Sequence, residues 1–416
     1  MDDVVIVGGG PAGSVAAAQL AQRGVNAVLL DARQFPREKA CGGGIQHRCL
    51  QFLPSDFSSV ERAGCSSVRL SHGLVSTGVR DAGRPVVHCV TRWEFDHFLL
   101  EKAKSAGAHV REGVRVTSVE RANGFIRLDT STGPLTARYV VAADGANSIV
   151  NQRLNPRCNF QWQTALYAEV DALKLGPSAA RSNEMRVDVN SLPSGYAWVF
   201  PKGDRVNIGA GAPNRFARLL TKYLAAFLKS EGYKTDDLRW RGHQLPTMTN
   251  RTVFASDSLF AVGDAAGMVE PLTGEGISYA CHGAHLLAEA IAVHFNSAEP
   301  WAAESAYIKA VRSLIRSELI WSQRIVLFST VFPRAFGAAL RNDRMWGIFF
   351  RVLTGELTFK DLETNLLGWV RNMGPALEAF GYMRELVMRL SREVERAEHN
   401  LEALHASVTR KAVYAD

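Results

Sequence analysis

Residues 4–31 constrain the fold more than any other stretch of this chain. An apolar, β-branched run at 4–7 predicts a buried strand, and the next six residues read G-G-G-P-A-G, which supplies the spacing G-x-G-x-x-G. A helix is expected over 14–23, and a second strand over 27–30 leads into Asp31. Strand, glycine turn, helix, strand and acid in this order predict a dinucleotide-binding βαβ unit, as opposed to a plain strand-turn-helix.

The glycine turn has the residue types that a pyrophosphate site requires. Gly8 allows the tight turn, Gly10 lets the backbone approach a phosphate, and Gly13 lets the helix pack closely against the strand. Pro11 and Ala12 lie in the same turn, before a helix whose N-terminal N–H groups and positive dipole end favour an anion.

The acid after the second strand completes the predicted cofactor site. Asp31 is placed to accept hydrogen bonds from ribose hydroxyls, and Ala32 is expected beside the same cofactor. The glycine motif alone does not distinguish FAD from NAD, although its position near the N-terminus favours FAD.

Composition and charge exclude several classes of function. The chain has 416 residues, of which 47% are hydrophobic and 21% charged, as in a globular protein of two or three domains. Its formal net charge of +7 favours anionic ligands or surfaces, but no basic block is interleaved with aromatic residues, so we expect no nucleic-acid partner. The 6 cysteines include no C-x-x-C, which argues against a metal site and a disulfide framework. We therefore expect a cytoplasmic protein without a signal peptide or a membrane-spanning stretch.

A cysteine precedes three glycines at 41–44. Taken alone, this segment predicts either a flexible surface loop with a buried cysteine or a backbone that can touch a flat ligand without side-chain clash. Residues 35–43 read F-P-R-E-K-A-C-G-G and resemble the segment F-P-R-x-K-x-C-G-G of the geranylgeranyl reductase family of FAD-dependent enzymes. The resemblance implies that Cys41 and Gly42 lie beside the flavin, and that Gly43 contacts the substrate.

The sequence Y-A-W-V-F-P at 196–201 places three aromatic residues on one face of a predicted strand. From the residues alone, such a face is more often an ordinary sheet core than a pocket wall. The geranylgeranyl reductase family carries Y-x-W-x-F-P, seven further residues and then G-x-G, and this chain matches that pattern completely. The resemblance implies that Tyr196, Trp198 and Phe200 shape a cavity for a prenyl chain.

Three further segments resemble cofactor motifs of the wider flavoprotein class that includes hydroxylases of the p-hydroxybenzoate type. Arg92 begins R-x-x-F-D, Asp144 begins D-G-x-x-S, and Asp264 ends the apolar strand of a second G-D motif. The resemblance implies that Arg92 helps to hold FAD and that Asp264 binds its ribityl chain. The alternative for Arg92 is a helix-capping arginine on the surface.

The sequence P-L-T-G-E-G-I at 271–277 resembles the P-x-x-G-E-G-I turn of the family. The resemblance implies that Gly274, Gly276 and Ile277 bring backbone N–H groups and a helix N-terminus to the pyrimidine edge of the flavin. A positive dipole end there would stabilise the anionic reduced flavin. Pro271, at the start of the turn, is expected to contact the substrate.

These assignments predict an α/β protein with a Rossmann-type FAD-binding domain, an inserted antiparallel-sheet substrate domain and a C-terminal helical region. The predicted boundaries are 1–65, 90–157 and 250–300 for the FAD-binding domain, 66–89 and 158–249 for the substrate-binding sheet domain, 301–365 for a helical cap, and 366–416 for a long amphipathic helix.

The predicted cap at 301–365 and the tail at 366–416 each have two possible interpretations. The apolar, arginine-containing cap predicts either a helical subdomain folded onto the body or a peripheral membrane contact. Heptad-like spacing in the tail predicts a helix that forms a homodimer contact or lies on its own body.

The resemblance implies reduction of isolated carbon–carbon double bonds in an isoprenoid or other long apolar substrate. Cys41 is the first candidate for the proton donor and Tyr196 the second, while Trp198 would pack the chain and exclude water. The electron donor would be NADPH or reduced ferredoxin. The alternatives are an FAD-dependent monooxygenase or halogenase on the same fold, and a non-catalytic flavoprotein that acts through its coiled tail.

Overall fold

A computed structural model of the chain describes residues 2–122, 124–156, 160–175, 183–233, 238–297, 299 and 301–362. The predicted helix at 366–416, with its dimer contact, lies outside the described residues. The strands, numbered in chain order, are β1 (Asp2–Val7), β2 (Ala27–Asp31), β3 (Gly44–Gln46), β4 (Glu61–Cys65), β5 (Ser67–His72), β6 (Val75–Asp81), β7 (Val87–Val90), β8 (His109–Glu112), β9 (Val116–Ala122), β10 (Phe125–Thr130), β11 (Leu135–Ala142), β12 (Gln161–Asp171), β13 (Glu184–Val189), β14 (Tyr196–Lys202), β15 (Arg205–Pro213), β16 (Arg241–Thr247), β17 (Ala255–Ser256) and β18 (Leu259–Ala261). The α-helices are α1 (Pro11–Gln22), α2 (Arg92–Ser105), α3 (Ile149–Leu154), α4 (Ala172–Leu175), α5 (Leu220–Ser230), α6 (Ile277–His294), α7 (Ala302–Ala310), α8 (Ser317–Val331), α9 (Pro333–Ala339) and α10 (Asp343–Thr354).

The first sheet is built around β1 in the order β17-β18-β11-β1-β2-β8, and β9 and β10 extend it as an antiparallel hairpin from β11. β1 lies between β2 and β11 and pairs with both in parallel, with Val4 opposite Ala27 and Val5 opposite Val140. A strand in this position is covered on both faces, which explains why 4–7 is apolar without alternation. The predicted βαβ unit is therefore present.

Helix α1 begins at Pro11, so the predicted start at residue 14 is wrong by three residues. Proline lacks an N–H and has a fixed φ, which suits the first helical position, where no intrahelical hydrogen bond is lost. The sequence pattern missed this because the proline and the last glycine of the motif were assigned to the turn. α1 packs against α2 and α6, and these contacts belong to the main hydrophobic core.

The second sheet has the order β16-β12-β15-β14-β13-β5-β6. Its pairings are antiparallel except for β13 with β5, which run in parallel. α5 covers one face, where Tyr223, Leu224 and Phe227 are buried against strand residues such as Ile208. The opposite face of β14 carries the aromatic residues of the predicted pocket.

A small antiparallel sheet, β3-β7-β4, holds the segment that follows the cysteine-glycine loop. The N–H of Val90 donates to the carbonyl oxygen of Gly43 at 2.8 Å, and Gly44 pairs with Cys89. The loop is thus fixed at its C-terminal end by a neighbouring strand.

The helices α7–α10 form the predicted helical region, with a π-helical turn at Val311–Arg316 between α7 and α8. A helix with the length and apolar composition needed to cross a bilayer does not occur among the described residues.

The glycines of the first turn differ in the space around them. Gly8 has a φ of +109°, and a Cβ on Gly13 would lie 1.8 Å from the carbonyl oxygen of Gly8. A Cβ on Gly10 would come no closer than 3.9 Å to a neighbouring atom, on Arg37. The fold therefore requires Gly13, whereas the space at Gly10 is open.

We predict that Gly13→Ala lowers the stability of the fold, whereas Gly10→Ala weakens cofactor binding and leaves the stability nearly unchanged. Gly13→Ala forces a backbone clash, so the free energy of unfolding should fall by about 1–3 kcal/mol or more in chemical denaturation. Gly10→Ala should leave the stability of the flavin-free protein within about 0.5 kcal/mol but weaken FAD binding, because a methyl group occupies the approach of the pyrophosphate. Equal stability of the two variants would contradict this assignment.

Candidate active site

The N-terminus of α1 is open to an anion. Its N-cap residue, Gly10, makes no side-chain capping hydrogen bond, and the first turn contains no acidic residue. The first N–H groups of a helix have no intrahelical partner, and they carry the positive end of the helix dipole. A phosphate group would satisfy both.

Asp31 ties the end of β2 to the glycine turn. Its Oδ2 accepts a hydrogen bond from the N–H of Gly9 at 2.8 Å, and its Oδ1 accepts one from the N–H of Arg33 at 2.8 Å. The carboxylate is thus held beside the turn, while the next residue, Ala32, is exposed.

Arg37 is a residue of this site that the sequence analysis missed. Its guanidinium lies 3.1 Å from Asp96 and 3.5 Å from Asp31, and it stacks over the ring of Phe35 at 4.4 Å. Arg37 is also the side chain nearest to Gly10, so a cation borders the open turn. The available signal was its position in F-P-R-x-K-x-C-G-G.

Arg92 begins α2 and is largely buried, not a surface cap. Its Nε and Nη2 donate to the two carboxylate oxygens of Asp96 at 2.7 and 2.8 Å, and it lies within hydrogen-bonding reach of the Cys41 side chain. Burial would lower the pKa of Arg92, but the Asp96 carboxylate and Cys41 raise it above its ordinary value. Arg92 therefore brings a fixed positive charge to the cysteine loop, and its contact with FAD stays a prediction.

The second aspartate motif lies against the first glycine motif. A Cβ on Gly263 would lie 3.1 Å from the Cβ of Ala12, and a Cβ on Gly276 would lie 3.4 Å from Oδ1 of Asp264. The G-D motif is therefore a neighbour of the first turn of α1, and the turn at 271–277 is a neighbour of the G-D motif. Ile277, which begins α6, is buried.

Asp264 has two basic neighbours that the sequence analysis did not assign. His243 Nε2 lies 3.7 Å from Asp264 Oδ2 and 3.2 Å from Lys39 Nζ. Burial alone would raise the pKa of Asp264, but contact with His243 and the charge of Lys39 lower it below its ordinary value. Burial lowers the pKa of Lys39. Asp264 is thus kept ionised as an acceptor.

Asp144 follows β11 and turns back on the start of α3. Its Oδ2 accepts from the N–H of Ile149 at 2.9 Å, whereas its buried Oδ1 has no hydrogen-bond partner in the part of the chain that the structure describes. Burial raises the pKa of Asp144. An acceptor of this kind fits a cofactor donor group.

Tyr196, Trp198 and Phe200 form a row of stacked rings on one face of β14. The first pair of ring centroids is 5.8 Å apart at an angle of 28°, and the second pair is 6.0 Å apart at 26°. In the pairing of β14 with β15, Gly211 lies opposite Tyr196 and Gly209 lies opposite Trp198. The rings lie flat across these glycines, because a Cβ on Gly209 would stand 2.3 Å from Trp198 and one on Gly211 2.7 Å from Tyr196.

The cysteine-glycine loop and the 271–277 turn contact the same row of rings. A Cβ on Gly42 would lie 3.1 Å from the indole nitrogen of Trp198, and one on Gly44 2.9 Å from Phe200. A Cβ on Gly274 would lie 1.6 Å from the hydroxyl of Tyr196. Pro271, in the same turn, is buried, and its carbonyl oxygen accepts from the side-chain amide of Gln163 at 3.2 Å.

Asn207 joins the aromatic row to the cysteine loop. Trp198 Nε1 donates to Asn207 Oδ1 at 2.8 Å, and Asn207 Nδ2 donates to the carbonyl oxygen of Cys41 at 3.2 Å. The N–H of Gly43 in turn donates to the Cys41 sulfur at 3.3 Å. Asn207 was not predicted as a site residue, because its only sequence signal is its place two residues before Gly209 on the predicted strand.

Comparison with known proteins agrees with this geometry. The model of the FAD binding domain family matches residues 1–312. Geranylgeranyl diphosphate reductase of Rhodobacter capsulatus is 31% identical over 314 residues, which cover 72% of this chain and 77% of that protein. The chain belongs to the geranylgeranyl reductase family of FAD-dependent oxidoreductases.

Other members and neighbours of the family extend the match. Menaquinone reductase of Mycolicibacterium smegmatis is 28% identical over 400 residues, covering 87% of this chain and 93% of that protein. The crystal structure of a geranylgeranyl bacteriochlorophyll reductase-like protein from Thermoplasma acidophilum aligns with a TM-score of 0.69 at 21% identity, covering 91% of this chain and 98% of that one. The flavin-dependent brominase Bmp2 aligns with a TM-score of 0.68 at 18% identity, covering 89% and 100%. At these identities the two structures show a shared fold, which is the predicted flavoprotein fold.

The residues present fit the cofactor of this reductase family. The open backbone at Gly10 and the uncapped start of α1 suit a pyrophosphate, and the unpartnered oxygen of Asp144 suits a donor. Asp264 is an ionised acceptor beside the 271–277 turn. A potential metal-binding cluster of His, Cys, Asp and Glu side chains is not found among the described residues.

We predict that Gly209→Ala disorders the aromatic row. The added methyl group meets Trp198, so we expect the free energy of unfolding to fall by about 1–3 kcal/mol and the tryptophan fluorescence to change. Gly242→Ala in the same sheet is the matched control, because its Cβ would lie 3.4 Å from Leu166, an ordinary contact. If Gly209→Ala behaves like Gly242→Ala, the flat packing of the ring is not required.

Proposed function

We propose that this enzyme reduces isolated carbon–carbon double bonds of a prenyl chain or another long apolar substrate. The observation that carries the proposal is the row of three stacked rings in contact with the cysteine-glycine loop and the 271–277 turn. An apolar, flat surface of this kind suits a chain of alkene units, which offers no hydrogen-bonding groups. The reductases named for geranylgeranyl substrates among the relatives support the same substrate class.

Different segments of the chain would hold the successive parts of FAD. Gly8, Gly10 and Gly13, with Pro11 and Ala12 at the start of α1, would hold the pyrophosphate. Asp31 and Ala32 would lie at the adenosine ribose, Arg92 and Asp144 would help to hold FAD, and Asp264 would bind the ribityl chain. Backbone N–H groups of Gly274, Gly276 and Ile277 would meet the pyrimidine edge, and Cys41 and Gly42 would lie beside the ring.

Reduction of an isolated alkene requires a hydride on one carbon and a proton on the other. When bound and reduced, the flavin supplies the hydride from N5. Cys41 is the proposed proton donor: its thiol lies in the loop that contacts Trp198 and is adjacent to the cation of Arg92. A thiolate left after donation would be stabilised by that cation and by the N–H of Gly43.

Tyr196 is the second candidate for the proton donor. Burial raises the pKa of its hydroxyl, as does the nearby carboxylate of Glu270, so the hydroxyl stays protonated. Trp198 and Phe200 would pack the chain and exclude water, with Gly43 and Pro271 at the substrate. The single polar atom of Trp198 is already bonded to Asn207, so the indole would offer only apolar atoms to a substrate.

The electron donor, membrane contact and oligomer complete the proposal. NADPH or reduced ferredoxin would reduce the flavin.

The arginine-containing helical region would contact a membrane peripherally: residues 323–328 on α8 are half-buried, and Arg324 stacks over Trp321 at 4.4 Å. The homodimer contact through the tail stays a prediction.

A flavin monooxygenase or halogenase is the second candidate function, because the brominase Bmp2 shares the fold. The pattern Y-A-W-V-F-P is also similar to the W-x-W-x-I-P of flavin halogenases. The cysteine-triglycine loop, which is a feature of the reductases, favours reduction.

Anaerobic turnover distinguishes these functions. We expect the reduced holoenzyme to convert geranylgeranyl diphosphate without oxygen, with a mass gain of about 2 units per double bond, since hydride and proton are both added. Mass spectrometry of the product is the measurement. A product about 16 units heavier, formed only with oxygen, would show the oxygenase, and reduced flavin that is never reoxidised by prenyl substrates would exclude the reductase.

We predict that Cys41→Ser retains FAD but reduces turnover by about 10²–10⁴-fold, the typical loss for a general acid. Serine preserves the size of the side chain but is a much weaker acid than cysteine. Flavin absorbance of the purified variant is the control for cofactor binding. If Cys41→Ser were fully active, Cys41 would not be the proton donor. A loss of turnover in Tyr196→Phe would then assign that role to Tyr196.

A further inference from the structure

The glutamate of the P-L-T-G-E-G-I turn has a role that backbone contacts with FAD do not explain. Glu275 is only 8% exposed. Its Oε1 accepts from the N–H of Ser278, in the first turn of α6, at 2.7 Å. Its Oε2 is buried and has no hydrogen-bond partner in the described part of the chain, and the same holds for the hydroxyl of Ser278.

Two other buried carboxylates share this region, and both are fully supplied with donors. Glu270 accepts from the N–H groups of Leu272 and Thr273 at 2.6 and 2.8 Å, and from the hydroxyls of Thr273 and Ser322. These donors lower the pKa of Glu270, but burial raises it more, to about 6, so Glu270 is mostly ionised at neutral pH.

Glu318, on α8, accepts hydrogen bonds from Arg48 and from Tyr279. Both of its oxygens lie 2.8 Å from Arg48 Nη2, and its Oε2 accepts from the hydroxyl of Tyr279 at 2.7 Å. Arg48 is the cation that faces Glu275 in the described residues, and it is already engaged by Glu318.

The other titratable groups around Glu275 bring no compensating charge. Cys49, from the segment after β3, faces it with a thiol whose pKa burial raises, so the thiol is neutral. On α6, burial raises the pKa of Tyr279, which is neutral too, and burial lowers the pKa of His282 to about 4, so that imidazole is uncharged near neutral pH. Glu270 adds a like charge.

We propose that Glu275 is a neutral acid that carries its proton on Oε2 below neutral pH, loses it near neutral pH, and thereby sets the pH dependence of flavin reduction. Oε2 makes no hydrogen bond, and the N–H and hydroxyl of Ser278 lower the pKa of Glu275 less than burial raises it, so the ionised form would be a buried, half-satisfied anion. Consistent with this, burial raises the pKa of Glu275 to about 7. A proton on Oε2 could be donated to the Ser278 hydroxyl.

The protonation state of Glu275 would change the number of protons that the enzyme takes up when the flavin is reduced. Reduction of FAD to its anionic hydroquinone consumes two electrons and one proton. Above its pKa, Glu275 is ionised in the oxidised enzyme and takes up one further proton from water on reduction, because two neighbouring anions repel. Below its pKa, Glu275 is neutral in both states. This coupling rests on the proposed placement of the flavin beside the 271–277 turn.

The first test measures the midpoint potential of the bound flavin in the holoenzyme from about pH 6 to about pH 9, with Glu275→Gln as the variant. Glutamine is a neutral isostere of the protonated carboxyl. We expect the wild type to change from one to two protons per two electrons near neutral pH, and the variant to keep one proton throughout. Identical slopes would overturn the coupling.

The second test needs no flavin. Glu275 has a folded-state pKa of about 7, above its ordinary value of 4.5, so the unfolded chain binds fewer protons between these values and the wild type loses stability as pH rises through this window. Relative to Glu275→Gln, we expect the unfolding equilibrium constant of the apoprotein to increase by on the order of 100-fold from about pH 4.5 to about pH 7.5. Glu289→Gln, on an exposed position of α6, is the matched control and should follow the wild type.

The two tests separate the possible failures. If the stability curves of the wild type and Glu275→Gln run parallel, Glu275 holds no proton and the inference is wrong, whatever the substrate. If the stability curves diverge as expected but the redox slopes coincide, Glu275 holds a proton that does not sense the flavin. That result would overturn the coupling and the proposed flavin placement, while leaving the FAD-dependent oxidoreductase assignment intact.

Discussion

The pairing of aromatic rings with glycines across β14 and β15 is the constraint on which the rest of the site depends. Trp198 and Tyr196 lie flat because Gly209 and Gly211 stand opposite them. Side chains on a sheet otherwise stand roughly perpendicular to it and would fill the space above the strand. Flat rings leave that space to the glycine loop after Cys41, which can approach only because it has no side chains. Two motifs that are far apart in sequence are thus halves of one surface.

The cofactor side of the site depends on a second convergence. Residues from four chain segments meet at the carboxyl ends of parallel strands, which is where α/β sheets bind ligands. Asp31 ends β2, Asp144 follows β11, and Asp264 follows β18, so their positions are consequences of one sheet order. Arg92 reaches the same region from α2 and links it to Cys41.

Features encoded by local patterns could be predicted from the sequence. The βαβ unit follows from an apolar run, a glycine turn and an acid, and the common face of Tyr196, Trp198 and Phe200 follows from the strand period of two. The start of α1 was placed too late, because a proline at the first helical position resembles part of a turn. Asn207 was visible only as a residue within a motif.

Features that depend on distant contacts could not be predicted. Lys39 and His243 are 204 positions apart, and no local pattern indicates that they meet at Asp264. The neutral state inferred for Glu275 likewise depends on which neighbours satisfy Glu270 and Glu318. Hydrogen-bond partners of this kind are set by packing, and one sequence does not reveal them.

The attachment of α8 restricts how a long substrate can enter. Glu318 and Ser322 anchor this helix through Arg48 and Glu270, and all four side chains are largely buried. Moving the helix away as a rigid body would break the buried Arg48–Glu318 ion pair, at a cost of about 3–5 kcal/mol, and would also remove the Ser322 hydroxyl from Glu270. A substrate that reaches the 271–277 turn is therefore expected to do so without displacement of α8, which Ser322 holds against Glu270 at the start of that turn.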